Sequence, residues 1–185
     1  MPRTQVLTRL PQCQNFCVSR RIAVPLFPIL PRRNNSIALA QSAGEAGEIP
    51  VGAVILQGDR IIATGENRKE RDCDPTAHAE ILALRQAGQH LGSWHLESCV
   101  LYVTLEPCPM CAGAIVQSRL GLLVYGADDP KTGAVRTVAN LPDSACSFHR
   151  LPVIGGIREQ TCRQQLQNWF TERRQIRAQN RRRSD

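Results

Sequence analysis

A chain of 185 residues with 42% hydrophobic composition can bury one proper core, which predicts a single folded domain carrying tails. Its longest apolar run, Ile22 to Leu30, holds Pro25 and Pro28 and falls well short of the roughly 20 residues that cross a bilayer, which excludes a membrane-spanning role from the expectations. The formal net charge of +7 suits a polyanionic partner and suits solvated basic ends equally, so charge alone decides nothing.

The chain opens on a leader. Residues 1–34 are rich in Pro, Arg and Asn and show no sustained period. Arg3, Arg9, Arg20, Arg21, Arg32 and Arg33 give residues 1–44 a charge of +6 with no acid among them. No fold is assigned here: the composition fits a disordered leader, an organelle transit peptide or a start codon set too far upstream. Residues 35–185 are then the expected domain, placed in the cytoplasm unless the leader is a transit peptide.

Order is expected from "NNSIALAQSAGEAGE", a short helix with Ile37, Leu39 and Ala40 as its apolar members, loosened and ended by Gly44 and Gly47. "VGAVILQGDRIIATGEN" reads as a hairpin, with a strand over 51–56, a turn at Gln57-Gly58-Asp59 and a return from Arg60. "RKERDCDPT" is a polar loop. Asp74 followed by Pro75 predicts a helix start, a capping side chain and then a proline at the first helical position. That helix, "TAHAEILALRQAGQ", carries Ile81, Leu82 and Leu84. "CVLYVTLE" over 99–106 is a strand, followed by a helix from Pro107 to about Gln117. "LGLLVYGA" over 120–127 is apolar throughout, as in a strand covered on both faces.

Residues 128–149 look like an irregular connection, and "LPVIGG" like an edge strand. A last helix runs from about Glu159 to Arg182, with Leu166, Trp169, Phe170 and Ile176 as a stripe at helical spacing. Its final stretch, 173–185, carries +5. The order predicts helices packed over a mixed sheet.

Two predicted helices open on unusual residues: "HAE", His78 to Glu80, and "PCPMC", Pro107 to Cys111. The eight cysteines are scattered, and in a reducing compartment a close pair points to metal or catalysis before a bridge. Cys108 and Cys111 share a face at a helix start, where the dipole favours thiolate. With His78 they make a mixed soft set suited to zinc. A zinc ribbon needs a second pair, and Cys13 and Cys17 have the wrong spacing. The expectation is therefore a catalytic zinc, with Glu80 moving protons for a metal-activated water. In a regular helix His78 and Glu80 would diverge by about 200°, so they share a site only at a frayed first turn.

These residues match the zinc-deaminase signature, H-x-E followed by P-C-x-x-C. "EIPVGAV", "GENR", "DPTAHAEILALRQAG", "LYVTLEPCPMCAGAI" and "GADDPKTGA" go further: the chain resembles the bacterial tRNA-specific adenosine deaminase (TadA) family from about Ser36 to its C-terminal helix. The resemblance implies a cytidine deaminase-like three-layer α/β/α sandwich with a central mixed sheet, one Zn2+ per subunit and a homodimer. It implies that His78, Cys108 and Cys111 bind zinc and that Glu80 is the proton shuttle. It also implies that the wobble adenosine of an anticodon loop, an arginine tRNA being the expected substrate, becomes inosine by zinc-hydroxide attack at C6. Asn67 would hold the flipped base, and Phe170, Asp129 and Lys131 would meet the anticodon stem-loop.

Two positions depart from the family pattern. Arg32 and Arg33 stand where it has a hydrophobic pair before the first helix, and Phe148 stands where it has Asn before His149. Two alternatives remain at this point. One is a deaminase of a free nucleobase or nucleoside, of cytidine or guanine type. The other is an RNA-binding module with a structural zinc, against which the intact Glu80 argues.

Overall fold

The structure is a computed structural model and describes residues 34–184; the expectations for residues 1–33, including those for Arg32 and Arg33, lie outside the described residues, and Asn34, assigned to the leader, opens the first helix. A five-stranded sheet in the order β2-β1-β3-β4-β5 forms the middle layer. The strands are β1 (Gly52–Gln57), β2 (Arg60–Glu66), β3 (Cys99–Leu105), β4 (Leu122–Ala127) and the short β5 (Val153–Ile154). β1 is antiparallel to β2 and to β3, while β3, β4 and β5 run parallel. The predicted mixed sheet between two helical layers is the observed architecture.

Alternation along the strands builds two cores. Ala53, Ile55, Leu101, Val103, Leu123 and Tyr125 point to one face, under α3 (Ala79–Leu91) and α4 (Pro109–Gln117). Val54, Leu56, Tyr102 and Val124 point to the other, where Leu39 of α1 (Asn34–Glu45) packs. The long α5 (Glu159–Ser184) lies against β4, β3 and α1. β4 is buried at every position, as its continuous apolar run predicts. Among the described residues no helix is long and apolar enough to cross a membrane.

Several boundaries differ from the sequence expectation. The Asp74-Pro75 step does not open the helix: Asp74 accepts bonds from the Thr76 N–H and hydroxyl, each at 2.7 Å, making a local turn. α3 begins only at Ala79, with His78 as its N-cap. Likewise α4 begins at Pro109, not Pro107, with Cys108 as its N-cap. The polar loop after β2 contains a one-turn helix, α2 (Lys69–Asp72).

The buried face of α3 is also not the one expected. Ala79, Ala83 and Ala87 are buried, and Ile81, Leu82 and Leu84 are only partly so. The cause is close approach. A Cβ on Gly65 of β2 would meet the Ala79 carbonyl oxygen and lie 2.9 Å from the Ala83 nitrogen, so only small residues fit this contact.

Candidate active site

Sheet polarity gathers the candidate residues. Because β2 and β3 both oppose β1, their C-terminal ends share one edge of the sheet. α3 and α4 both start from that edge and pack on each other. The edge beyond the C-terminal ends of strands is where α/β sheets commonly bind ligands.

His78 and Cys108 occupy matching places, each an N-cap in extended conformation whose side chain makes no capping bond. That frees both side chains to turn inward. His78 Nδ1 lies 3.7 Å from Cys108 Sγ and 3.5 Å from Cys111 Sγ. The ligand atoms of the trio all lie within 4.8 Å of one another, and among the described residues no other such cluster of His, Cys, Asp or Glu occurs. Zinc bonds of about 2.3 Å to sulfur and 2.0–2.1 Å to nitrogen in a tetrahedron require S···N edges of about 3.6 Å. The distances and the donor chemistry therefore fit zinc, and three protein ligands are the number a catalytic centre uses.

The extended backbone at His78 also removes the 200° objection, because the regular helical turn starts only after it. Glu80 is thereby brought beside the trio, buried and next to Cys111. Burial pushes its carboxyl up to about 7. The Cys111 hydrogen bond, followed by His78, pulls Cys108 down to about 4, while the same sulfur contact and burial push Cys111 up. The bond to Cys108 raises His78. Protons thus sit where a cation would replace them, since metal binds thiolate and neutral imidazole.

Asn67 is buried just beyond β2. Its neighbour Arg68 donates from its backbone nitrogen to the Ala77 carbonyl at 3.0 Å, which ties it to the turn before His78. Phe170 is 42% exposed and lines a hollow on α5 with Lys131, Gln167 and Arg174. Ile176 is exposed as well, so the expected stripe is not a core stripe. Of its aromatics Trp169 is the anchored one, donating from Nε1 to the Gly44 carbonyl at 3.1 Å. Asp129 spends its carboxylate locally, accepting from the Lys131 and Thr132 nitrogens at 2.9 and 3.2 Å and from the Thr132 hydroxyl at 2.6 Å. The structure thus unites His78, Cys108, Cys111 and Glu80 at one point and Phe170 with Lys131 at another.

Two buried acids escaped the sequence reading. Glu106, at the end of β3, accepts from the nitrogens of Asp129, Arg136 and Thr137 at 3.1, 2.9 and 2.9 Å, and from the Thr137 hydroxyl. It organises the irregular connection from within. Glu48 accepts from Asn67 and from the Arg71 nitrogen. The only signal for either was an acid set in an apolar run, "TLEPC" and "GEIPV".

A three-layer sandwich with two cysteine sulfurs, one imidazole and an adjacent buried carboxyl group at one point fits a hydrolytic deaminase. The family model of MafB19-like deaminases matches residues 33–174. The tRNA-specific adenosine deaminase of Bacillus subtilis is 45% identical over 139 residues, covering 75% of this chain and 86% of that protein. A structure from studies of A-to-I editing by tRNA:A34 deaminases superposes with a TM-score of 0.70 at 42% identity, covering 71% of this chain and 96% of that one. The tRNA(Ile)-lysidine synthase of Deinococcus radiodurans is 43% identical over 152 residues, which span 82% of this chain but 26% of that protein. The chain belongs to the tRNA-specific adenosine deaminases, within the MafB19-like deaminase family.

Proposed function

We propose that the protein converts the wobble adenosine of a tRNA anticodon loop to inosine, using one zinc per subunit held by His78, Cys108 and Cys111. The observation that carries this reading is the buried Glu80 carboxylate against a three-member ligand set, in a chain 45% identical to a tRNA-specific adenosine deaminase. Bound zinc would supply a water acidic enough to lose its proton near pH 7. Water adds at C6 and ammonia leaves, so protons must move to N1 and then to the amino nitrogen. Glu80, buried beside the trio, would carry both.

The surroundings support an RNA loop as the ligand. A base in a loop is extruded at the cost of unstacking alone, about a few kcal/mol. Asn67 would receive it, Phe170 offers an exposed ring for stacking a neighbour, and Lys131 with the arginines of α5 offers charge for the phosphates. Asp129 acts by shaping the turn that presents Lys131. The assembly is a homodimer in this reading, and the substrate an arginine tRNA. The catalytic domain in this reading covers 35–185 behind a leader assigned to 1–34, whose last residue, Asn34, already belongs to α1. The site of action is the cytoplasm, with an organelle as the alternative that mass spectrometry of the native N-terminus would reveal.

Incubating the zinc-loaded protein with an arginine tRNA whose anticodon starts with A, then sequencing for A-to-G readout, tests the proposal. Inosine at the wobble position is the expected result. Turnover of free cytidine or guanine with unchanged tRNA would replace it with the nucleobase or nucleoside deaminase.

A further inference from the structure

We propose that Glu48 is a positioning residue: it orients the side-chain amide of Asn67 so that the carbonyl oxygen and one N–H of that amide face the base. This rests on the reading of Asn67 as the residue that holds the flipped adenine.

The backbone of Glu48 is fixed by the way α1 ends. Gly47 takes a left-handed φ of 89°, the conformation that favours glycine. Its nitrogen donates to the Gly44 carbonyl at 3.1 Å, and that of Glu48 to the Ala43 carbonyl at 2.9 Å. This paired closure is a Schellman motif. α5 grips the same turn, with Trp169 donating to the Gly44 carbonyl and the Arg173 guanidinium to the Gly47 carbonyl. Glu48 therefore enters the interior from a backbone held on two sides.

Its side chain is 1% exposed. One carboxylate oxygen accepts from the Arg71 backbone nitrogen at 2.8 Å and the other from Asn67 Nδ2 at 3.1 Å. The Arg71 guanidinium turns instead to Glu66, 2.8 Å away. Desolvating a carboxylate to meet an amide and a peptide N–H is unfavourable compared with packing an apolar side chain there. What the carboxylate adds is direction. It only accepts, so only the Nδ2 side of Asn67 can face it. One amide hydrogen is thereby taken, and the oxygen and the second hydrogen are left together. That acceptor–donor pair complements the exocyclic amine and N7 of adenine. A flipped amide would set oxygen against oxygen.

The test is a double-mutant cycle of Glu48→Gln and Asn67→Ala on an anticodon stem-loop, with zinc content and thermal midpoint measured on every variant. Glu48→Gln is expected to lower kcat/KM by about 10–100-fold, as losing a buried orienting partner commonly does. Zinc content and midpoint stay near wild type. In the Asn67→Ala background the same change should cost no more than about twofold, because its only route of action is gone. A full further loss there, or no loss in the wild-type background, would overturn the proposal and leave Asn67 in its role. Wild-type turnover by Asn67→Ala would remove both. If Glu48→Gln does not fold, Glu48→Asp takes its place in the cycle with the same outcomes.

Discussion

At the sheet edge, candidate side chains are held by others: His78 by the two cysteines, Asn67 by Glu48, and the loop after β4 by Glu106. Along the outer part of α5 the arrangement is reversed. Arg177, Arg181 and Arg182 are exposed, and the apolar residues among them, Phe170 and Ile176, are 42% and 47% exposed. The first region spends buried polar groups on fixing geometry, which chemistry requires because a reacting atom must be placed within fractions of an ångström. The second keeps charge and one aromatic face in water, which suits a partner whose backbone is read by charge and whose bases are read by stacking. On the proposed function the contrast separates a catalytic half from a recognition half, and each should then be open to damage without the other.

The largest expected effect tests the catalytic half alone. Glu80→Gln should reduce inosine formation by about 10²–10⁴-fold, the range that a general acid–base group supplies. Zinc content by elemental analysis and the Kd for the tRNA should remain near wild type, because Glu80 is outside the ligand trio. Activity within a few-fold of wild type would take Glu80 out of the mechanism.

An intermediate effect separates two adjacent aromatics on α5. Trp169 is half-buried, contacts Phe170 edge-on with centroids 5.1 Å apart, and donates to Gly44. Its truncation to Ala should therefore lower stability in urea, by about 3 kcal/mol given the lost packing and hydrogen bond. Phe170→Ala should leave stability nearly unchanged and weaken stem-loop binding by about 1–3 kcal/mol, the worth of one base stacked on an aromatic ring. The opposite assignment, Phe170 stabilising and Trp169 not, would remove Phe170 from RNA recognition.

The same pair marks what the sequence could and could not say. The succession of elements, the mixed sheet and the candidate metal trio were legible because each leaves a local trace: alternation, an apolar run, H-x-E and C-x-x-C. The packing face of α3 was not, because alanines at 79, 83 and 87 carry little hydropathy and are chosen by the approach to Gly65, a contact made across the chain. The helix starts were misplaced for a related reason. Proline at 75 and 107 marks where a helix can begin, but a turn over residues 74–76 and the extended conformations of His78 and Cys108 delay both helices, and the two side chains reach the same point. Glu48 and Glu106 were silent because a buried acid is recognised by its partners, and those lie 19 and up to 31 residues away.

The smallest effect probes the recognition half at its far end. Arg181 is exposed, and substitution by Ala removes one charge with little packing, so the fold and the metal site should be untouched. If the side chain reaches a phosphate, its loss lowers the slope of log K against log salt by about 0.7 for a single-stranded contact and weakens binding only a few-fold at fixed salt. The slope is the informative quantity, because a few-fold change in Kd alone could arise from altered helix propensity. Removing Arg177 and Arg182 as well should lower the slope in even steps, since screened surface charges contribute nearly independently. An unchanged slope in the triple variant would mean that the tip of α5 points away from the RNA, and would confine recognition to Lys131, Phe170 and Arg174 around the hollow on α5.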